Sequence, residues 1–182
     1  MFFVNTGYLF PESLIFRDRL ADELGLNVVT LHPGIPKTQQ LSPDGSLLFA
    51  TDPDRCCYLN KVQPLEPALQ SHDVWINGVR ADQTAERRAM ETEQRGPHGV
   101  LRYHPLLHWT SRDVYRYMEA HQLPPHPLEA QGYLSVGCEP CTRPYLDSLD
   151  TRGGRWAGMK KRECGLHTVL ATTPATATEK QR

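Results

Sequence analysis

No stretch of the 182 residues approaches the roughly 20 consecutive apolar residues that a membrane-spanning helix needs, and mean hydropathy is −0.51. Charge of one sign is equally scarce. Lys and Arg number 20 against 21 Asp and Glu, so no global basic field exists to hold nucleic acid. The opening MFFVNTGYLF has neither a charged n-region nor a small-residue cleavage site and does not read as a secretory signal. Internal repeats are absent. These absences predict a soluble, cytoplasmic protein, long enough for one core and too short for two. Cysteine is sparse but clustered: Cys56, Cys57, Cys138, Cys141 and Cys164. In a reducing compartment such clusters serve metals or catalysis more often than disulfides.

What is present alternates between strand and helix patterns. Phe2-Phe3-Val4 reads as a strand ending at Asn5-Thr6-Gly7. Pro11 suits a first helical position; Leu14, Leu20, Ala21 and Leu24 recur at helical spacing, and Gly25 supplies the stop. Asn27–Leu31 is a second strand and Val74–Asn77, closed by Gly78, a third, so the order argues for a parallel α/β sheet. Residues 32–54 read as an irregular connection. A helix is expected from Cys56-Cys57 to Leu69, broken at Pro64. Residues 84–98 read as a mobile loop or solvated helix face. Thr110 and Asp113 form a capping box opening a helix whose Val114, Tyr117, Met118 and His121 face the core. The low-complexity tail from Thr168 is expected to be disordered.

Three constellations carry chemistry. Cys56-Cys57 with Cys138-Glu-Pro-Cys141 offers four thiolates. Neighbouring residues reach one tetrahedral zinc awkwardly, whereas a cubane iron–sulfur cluster presents separate iron corners; both remain open on spacing. Lys61, four residues beyond Cys57, is placed to moderate a cluster's charge or simply to be solvated. The run Trp75–Arg87 ends a strand at Gly78 and supplies Arg80, Gln83 and Arg87; Thr6 and Gly7 end another strand. Ligands of α/β sheets sit beyond the carboxyl ends of strands, and arginine forks suit phosphate and sulfate, against the alternative of polar surface loops. Arg152-Gly-Gly-Arg155-Trp156 precedes KKRECGLH, in which Lys160, Lys161 and Arg162 adjoin Cys164 and His167 follows. Cations favour the nucleophilic thiolate; the alternative is a frayed basic terminus.

Taken together, NTGYLFPE, CCYLNKVQPLEPAL, WINGVRADQTAER, HPLLHWTSRDVYRYM, GYLSVGCEPCTRP and KKRECGLH, in that order from about Phe3 to His167, resemble the assimilatory, thioredoxin-dependent adenylyl-sulfate reductases. That family shares ancestry with the phosphoadenylyl-sulfate reductases. The resemblance implies an adenine-nucleotide α-hydrolase-like fold, a parallel sheet flanked by helices. It implies a 4Fe–4S cluster on Cys56, Cys57, Cys138 and Cys141, and Cys164 as nucleophile. Adenosine 5′-phosphosulfate would be reduced to sulfite and AMP through an S-sulfocysteine, resolved by thioredoxin or glutaredoxin. Thr6, Gly7, Gly78, Arg80, Gln83, Arg87, Arg152, Arg155 and His167 would surround the nucleotide, with Gly153 and Gly154 permitting the Cys164 segment to move. The 3′-phosphorylated substrate and a non-catalytic, zinc-binding remnant stand as alternatives.

Departures accompany the matches. No serine- and glycine-rich phosphate loop occurs, so the first strand and loop of the family are expected to be missing. Asn5 stands where the family has aspartate, and Asn60 where an arginine precedes the lysine, changes expected to weaken a turn and loosen the cluster's surroundings. The expected organisation is 1–150 as nucleotide- and cluster-binding domain, incomplete at its start, 151–167 as mobile catalytic segment and 168–182 as tail. A homo-oligomer is compatible with this reading.

Overall fold

The computed structural model describes residues 1–146, 150–168 and 170; the expected tail falls, from 171 onward, outside the described residues. Strand β1 (Phe2–Val4) pairs in parallel with β2 (Val29–Leu31), Phe3 opposite Thr30. The crossover is α1 (Pro11–Glu23), which opens on Pro11, where the missing N–H costs nothing. Gly25, at φ +60°, reverses the chain after it, a conformation that glycine adopts without strain. Asn5 makes the turn after β1 itself: its Oδ1 accepts from the Gly7 N–H at 3.0 Å, with Gly7 at φ +73°.

A second sheet has the order β3-β5-β4. Strands β3 (Val74–Ile76) and β5 (Leu101–Tyr103) are parallel, with Trp75 opposite Arg102. Strand β4 (Glu93–Arg95) lies antiparallel on β5. Residues 84–98 are therefore not a solvated loop. They hold the short helix Ala85–Arg88, capped by Thr84 Oγ1 on the Arg87 N–H, then an edge strand, and Arg87 is buried.

The helix through the first cysteine pair is also unlike its expectation. Helical turns run from Pro53 to Gln70 without a break, as Pro53–Cys57, a π-helical stretch Tyr58–Val62 and Gln63–Gln70. Pro64 and Pro67 lack the N–H that an α-helical bond requires. The π stretch, closed by Gln63 N–H on the Tyr58 carbonyl, shifts the bonding pattern just before Pro64 and carries the chain past it. Val62, Leu65, Ala68 and Leu69 of this segment pack on Leu31, Trp75, Leu166 and Leu170, which joins both sheets to the C-terminal segment.

The helix Ser111–Ala120 has the expected capping box, with Thr110 and Asp113 satisfying each other's backbone N–H. Its apolar stripe is not core. Val114 and Met118 are half-buried along an open groove, and Tyr117 is 47% exposed, with its ring 5.4 Å from Trp109 and 4.2 Å from His121. No helix among the described residues is long and apolar enough to cross a membrane.

Candidate active site and metal centre

Four cysteines meet where two distant segments are zipped together. Cys56 and Cys57 come from the helix end at Pro53–Cys57, whose cap is Asp52 Oδ1 on the Arg55 N–H at 2.9 Å. Cys138 and Cys141 lie on a single turn, Glu139–Cys141, opened by Pro140. That turn is tied to the loop after β1 by the Leu9–Cys138 bridge and by Glu139 N–H on the Tyr8 carbonyl at 2.7 Å. All five cysteines are buried and unbridged, and Cys164 packs in the same cluster as the other four, with Tyr8, Leu48 and Trp156.

Electrostatics make the four-thiol pocket an incomplete one. Burial, then the neighbouring Cys57, Cys138 and Cys141, push the Cys56 thiol up to about 12. Cys57 and Cys141 are raised by burial as well. Burial alone would lower Lys61, yet the adjacent Cys138, Cys164 and Cys57 hold its ammonium above its ordinary value. Two donors that line the pocket, Tyr8 Oη and Trp156 Nε1, are buried with no hydrogen-bond partner among the described residues. Both fit a group that brings positive metal to the thiols and acceptor atoms to the donors. Among the described residues, metal-ligating atoms within 4.8 Å of one another occur at Glu163, Cys164 and His167.

Asn60 does not loosen these surroundings. It is 2% exposed and forms a reciprocal amide pair with Gln40 (Nδ2 to Oε1 2.6 Å, Nε2 to Oδ1 2.9 Å). Its Nδ2 also donates to the Cys56 carbonyl at 2.8 Å and approaches Cys56 Sγ at 3.5 Å.

The second half of the site is cationic. Arg87 donates a fork to Glu163, Nε to Oε2 at 2.6 Å and Nη2 to Oε1 at 3.0 Å. Arg152 Nη2 adds a contact to Oε1 at 3.3 Å, and the Cys164 N–H donates to the same oxygen at 3.0 Å. Although burial pushes the Glu163 carboxyl up, hydrogen bonding to Arg87 and the charge of Arg152 hold it at about 2. His167 is pushed down to about 3 by burial and by Arg87, Arg102 and Arg152 around it. Its Nδ1 lies 3.4 Å from Nη2 of Arg102, a wholly buried guanidinium that stacks on Trp75 at 4.5 Å.

The residues expected around a nucleotide divide between three places. Arg80, Gln83 and Arg152 line a groove of about 910 Å³ with Ser111, Tyr115 and Met118. Arg80 is held there by Asp82 (Nε to Oδ1 3.0 Å) and Ser111 (Nη2 to Oγ 2.9 Å). Gly78 lies on the loop after β3, where a Cβ would meet only Leu106, at 3.8 Å. Thr6 turns instead to the thiol pocket, its Oγ1 3.3 Å from Cys138 Sγ, while the Gly7 carbonyl accepts from Lys37 Nζ at 3.2 Å. Arg155 donates to the Val136 carbonyl at 3.0 Å and stacks on Trp156 at 4.6 Å. Of the basic run, Lys161 pairs with Asp54 and approaches the Trp156 ring at 5.6 Å, and Lys160 and Arg162 are exposed.

Sequence reasoning missed Glu163, Arg102, Tyr8 and Trp156. Glu163 left one signal: it is the lone acid in the basic run KKRECGLH. Arg102 left another, a charge in the middle of a strand, between Leu101 and Tyr103.

Parallel strand pairs with helical connections, a thiol-lined pocket and a groove carrying Arg80 and Arg152 define the chain as an α/β protein. Residues 1–144 match the family described as phosphoadenosine phosphosulfate reductase domain, and the chain belongs to that family. It is 42% identical over 173 residues to the adenosine 5′-phosphosulfate reductase of Salinibacter ruber, covering 92% of this chain and 68% of the relative. It is 39% identical over 170 residues to the phosphoadenosine 5′-phosphosulfate reductase of Gloeobacter violaceus, covering 91% and 70%. The crystal structure of a phosphoadenylyl-sulfate reductase from Candida auris superimposes with a TM-score of 0.65 at 21% identity, over 78% of this chain and 70% of that one. That likeness establishes the fold.

Proposed function

We propose that this protein reduces adenosine 5′-phosphosulfate to sulfite and AMP in sulfate assimilation, with Cys164 as nucleophile. The observation that carries the reading is the position of Cys164, which packs against the four-thiol pocket and follows a carboxylate bound by Arg87 and Arg152. The Cys164 thiolate attacks the sulfur, the S–O bond to the nucleotide phosphate breaks, and AMP leaves with that electron pair. An S-sulfocysteine remains. A thiolate of thioredoxin or glutaredoxin then attacks Cys164 Sγ and expels sulfite. The mixed disulfide is resolved by the donor's second thiol, which supplies the two electrons overall. The guanidinium groups of Arg80, Arg87 and Arg152 offset repulsion between thiolate and polyanionic substrate.

Cys56, Cys57, Cys138 and Cys141 would hold a 4Fe–4S cluster, which supplies concentrated charge beside the reacting sulfur. Adjacent Cys56 and Cys57 suit the separate iron corners of a cluster better than one tetrahedral zinc. Tyr8 and Trp156 would donate toward it, and Lys61 would balance its charge. The cytoplasm is the compartment consistent with unbridged thiols.

The test is incubation of anaerobically purified protein with adenosine 5′-phosphosulfate, followed by intact-mass and peptide mapping. A sulfonate adduct on Cys164 that thioredoxin removes is expected; no adduct in protein retaining iron and sulfide would overturn the reading. The Gloeobacter relative favours one alternative, reduction of the 3′-phosphorylated nucleotide. Comparing sulfite release from the two nucleotides decides between them.

A further inference from the structure

The Glu163 carboxylate is bound the way an oxyanion substrate is bound. Its two oxygens take the Arg87 fork at 2.6 and 3.0 Å, Arg152 Nη2 at 3.3 Å, the Thr84 hydroxyl at 3.3 Å and the Cys164 N–H at 3.0 Å. A guanidinium fork, a second guanidinium, a hydroxyl and a backbone N–H form a donor set suited to sulfate and phosphate oxygens. Among the described residues, Glu163 is the carboxylate that pairs with both Arg87 and Arg152. Without it, two nearly buried cations would face each other uncompensated.

We infer that Glu163 is a resident stand-in for the substrate's sulfonate: it fills the oxyanion seat on Arg87 and Arg152, and an arriving anion must displace it. This deepens the reductase reading and rests on it. Two of the seat's donors border open space: Arg152 lines the 910 Å³ groove, and Arg152 and Thr84 line a smaller opening with Arg155 and Arg162. Exchange of one anion for another keeps the arginines paired throughout. Glu163 is covalently next to Cys164 and accepts its N–H, so displacement also breaks the contact that fixes the Cys164 backbone. Substrate entry and unlocking of the nucleophile thereby become one event. After sulfite has left, return of Glu163 to the arginines restores the buried thiol. Glu163 is thus a positioning residue, acting through the arginines and through Cys164.

The experiment measures alkylation of Cys164 by N-ethylmaleimide, read by peptide mapping on the anaerobic holoprotein, with sulfate added at ionic strength fixed by chloride. Sulfate is expected to accelerate modification of Cys164 about tenfold, the scale of losing one charge-assisted hydrogen bond. Glu163→Gln is expected to react at the fast rate without sulfate and to ignore it. Sulfate that leaves the wild-type rate unchanged overturns the inference, as does a Glu163→Gln protein that stays slow and responsive. The wild-type titration needs no variant, so a Glu163→Gln protein that fails to fold leaves the test intact. The reductase reading fails separately, through absence of the sulfonate adduct. An adduct formed by protein whose Cys164 ignores sulfate would sink only the stand-in role.

Discussion

Glu163 and Arg87 are 76 residues apart in sequence and meet through two hydrogen bonds of 2.6 and 3.0 Å, with the Glu163 side chain 1% exposed. This pair ties the C-terminal segment that carries the nucleophile to the short helix Ala85–Arg88. Arg152 reaches the same carboxylate by one longer contact.

The unequal geometry sets an order of stabilities. Arg87→Met removes the fork and leaves Arg152 as the cation paired with Glu163, beside the Thr84 hydroxyl and the Cys164 N–H; breaking a buried pair in this way costs roughly 3–5 kcal/mol. Arg152→Met removes one 3.3 Å contact and should cost clearly less. Urea denaturation of the two variants gives the answer. Equal losses, or a larger loss for Arg152→Met, would show that the fork does not dominate.

Gly153 and Gly154 suggest a hinge in the sequence, but the structure uses them for close packing. A Cβ on Gly154 would lie 2.3 Å from the Arg143 carbonyl oxygen, and one on Gly153 2.2 Å from the Tyr145 ring. Backbone cannot step aside as a ring at the surface can. Gly154→Ala should therefore destabilise by about 1–3 kcal/mol, the usual scale of overpacking, and Gly153→Ala by less. Thermal unfolding distinguishes this from a hinge, for which both variants would keep their stability and lose turnover.

The sequence made β1, β2, β3, the crossover and the capping box legible, because each has a local signature: apolar runs, Pro11 and Gly25, and the Thr110–Asp113 pair; β4 and β5, three residues each with charges inside, were not. It failed where tertiary partners decide. Arg87 is polar in a polar run, and only Glu163, far along the chain, explains its burial. The stripe of Val114 and Met118 has a core-like period, yet it borders a groove, since period reports a face and not what covers it. The π stretch before Pro64 depends on a bonding shift that residue spacing does not encode. The cysteines were legible as a set, but their company was not: Tyr8 and Trp156 sit inside motifs with nothing local to mark their role, and reach the pocket through the Leu9–Cys138 bridge and the Arg155–Thr142 bridge.

Metal content should follow the division between the four pocket cysteines and Cys164. Cys138→Ser is expected to lose iron, sulfide and visible absorption together, because three remaining thiolates complete no 4Fe–4S cluster. Cys164→Ser should keep all three and lose only the sulfonate adduct. Chelation of the metal should lower the unfolding midpoint, since a group bound by the folded protein and not by the unfolded chain stabilises the fold. Cys164→Ser protein lacking iron, or zinc in place of iron and sulfide in the wild type, would contradict the assignment.

Acid should loosen the C-terminal segment in two stages, because Glu163 and His167 both titrate lower in the folded protein than unfolded. A group with a depressed folded pKa contributes stability that is present above its unfolded value and lost as pH falls toward the folded one. For His167 that window runs from 6.5 down to about 3, driven by its burial and the arginines around it. For Glu163 it runs from 4.5 down to about 2, where protonation surrenders the Arg87 and Arg152 pairs. Stability should therefore begin to fall just below pH 6.5 and fall more steeply below 4.5. His167→Gln, which has no proton to gain, should flatten the first stage and leave the second. Urea midpoints taken for both proteins from pH 7.5 down to about 2.5 cover both windows and test this. A midpoint that rises on acidification, or a first stage that persists in His167→Gln, would show that His167 is not held neutral by its surroundings.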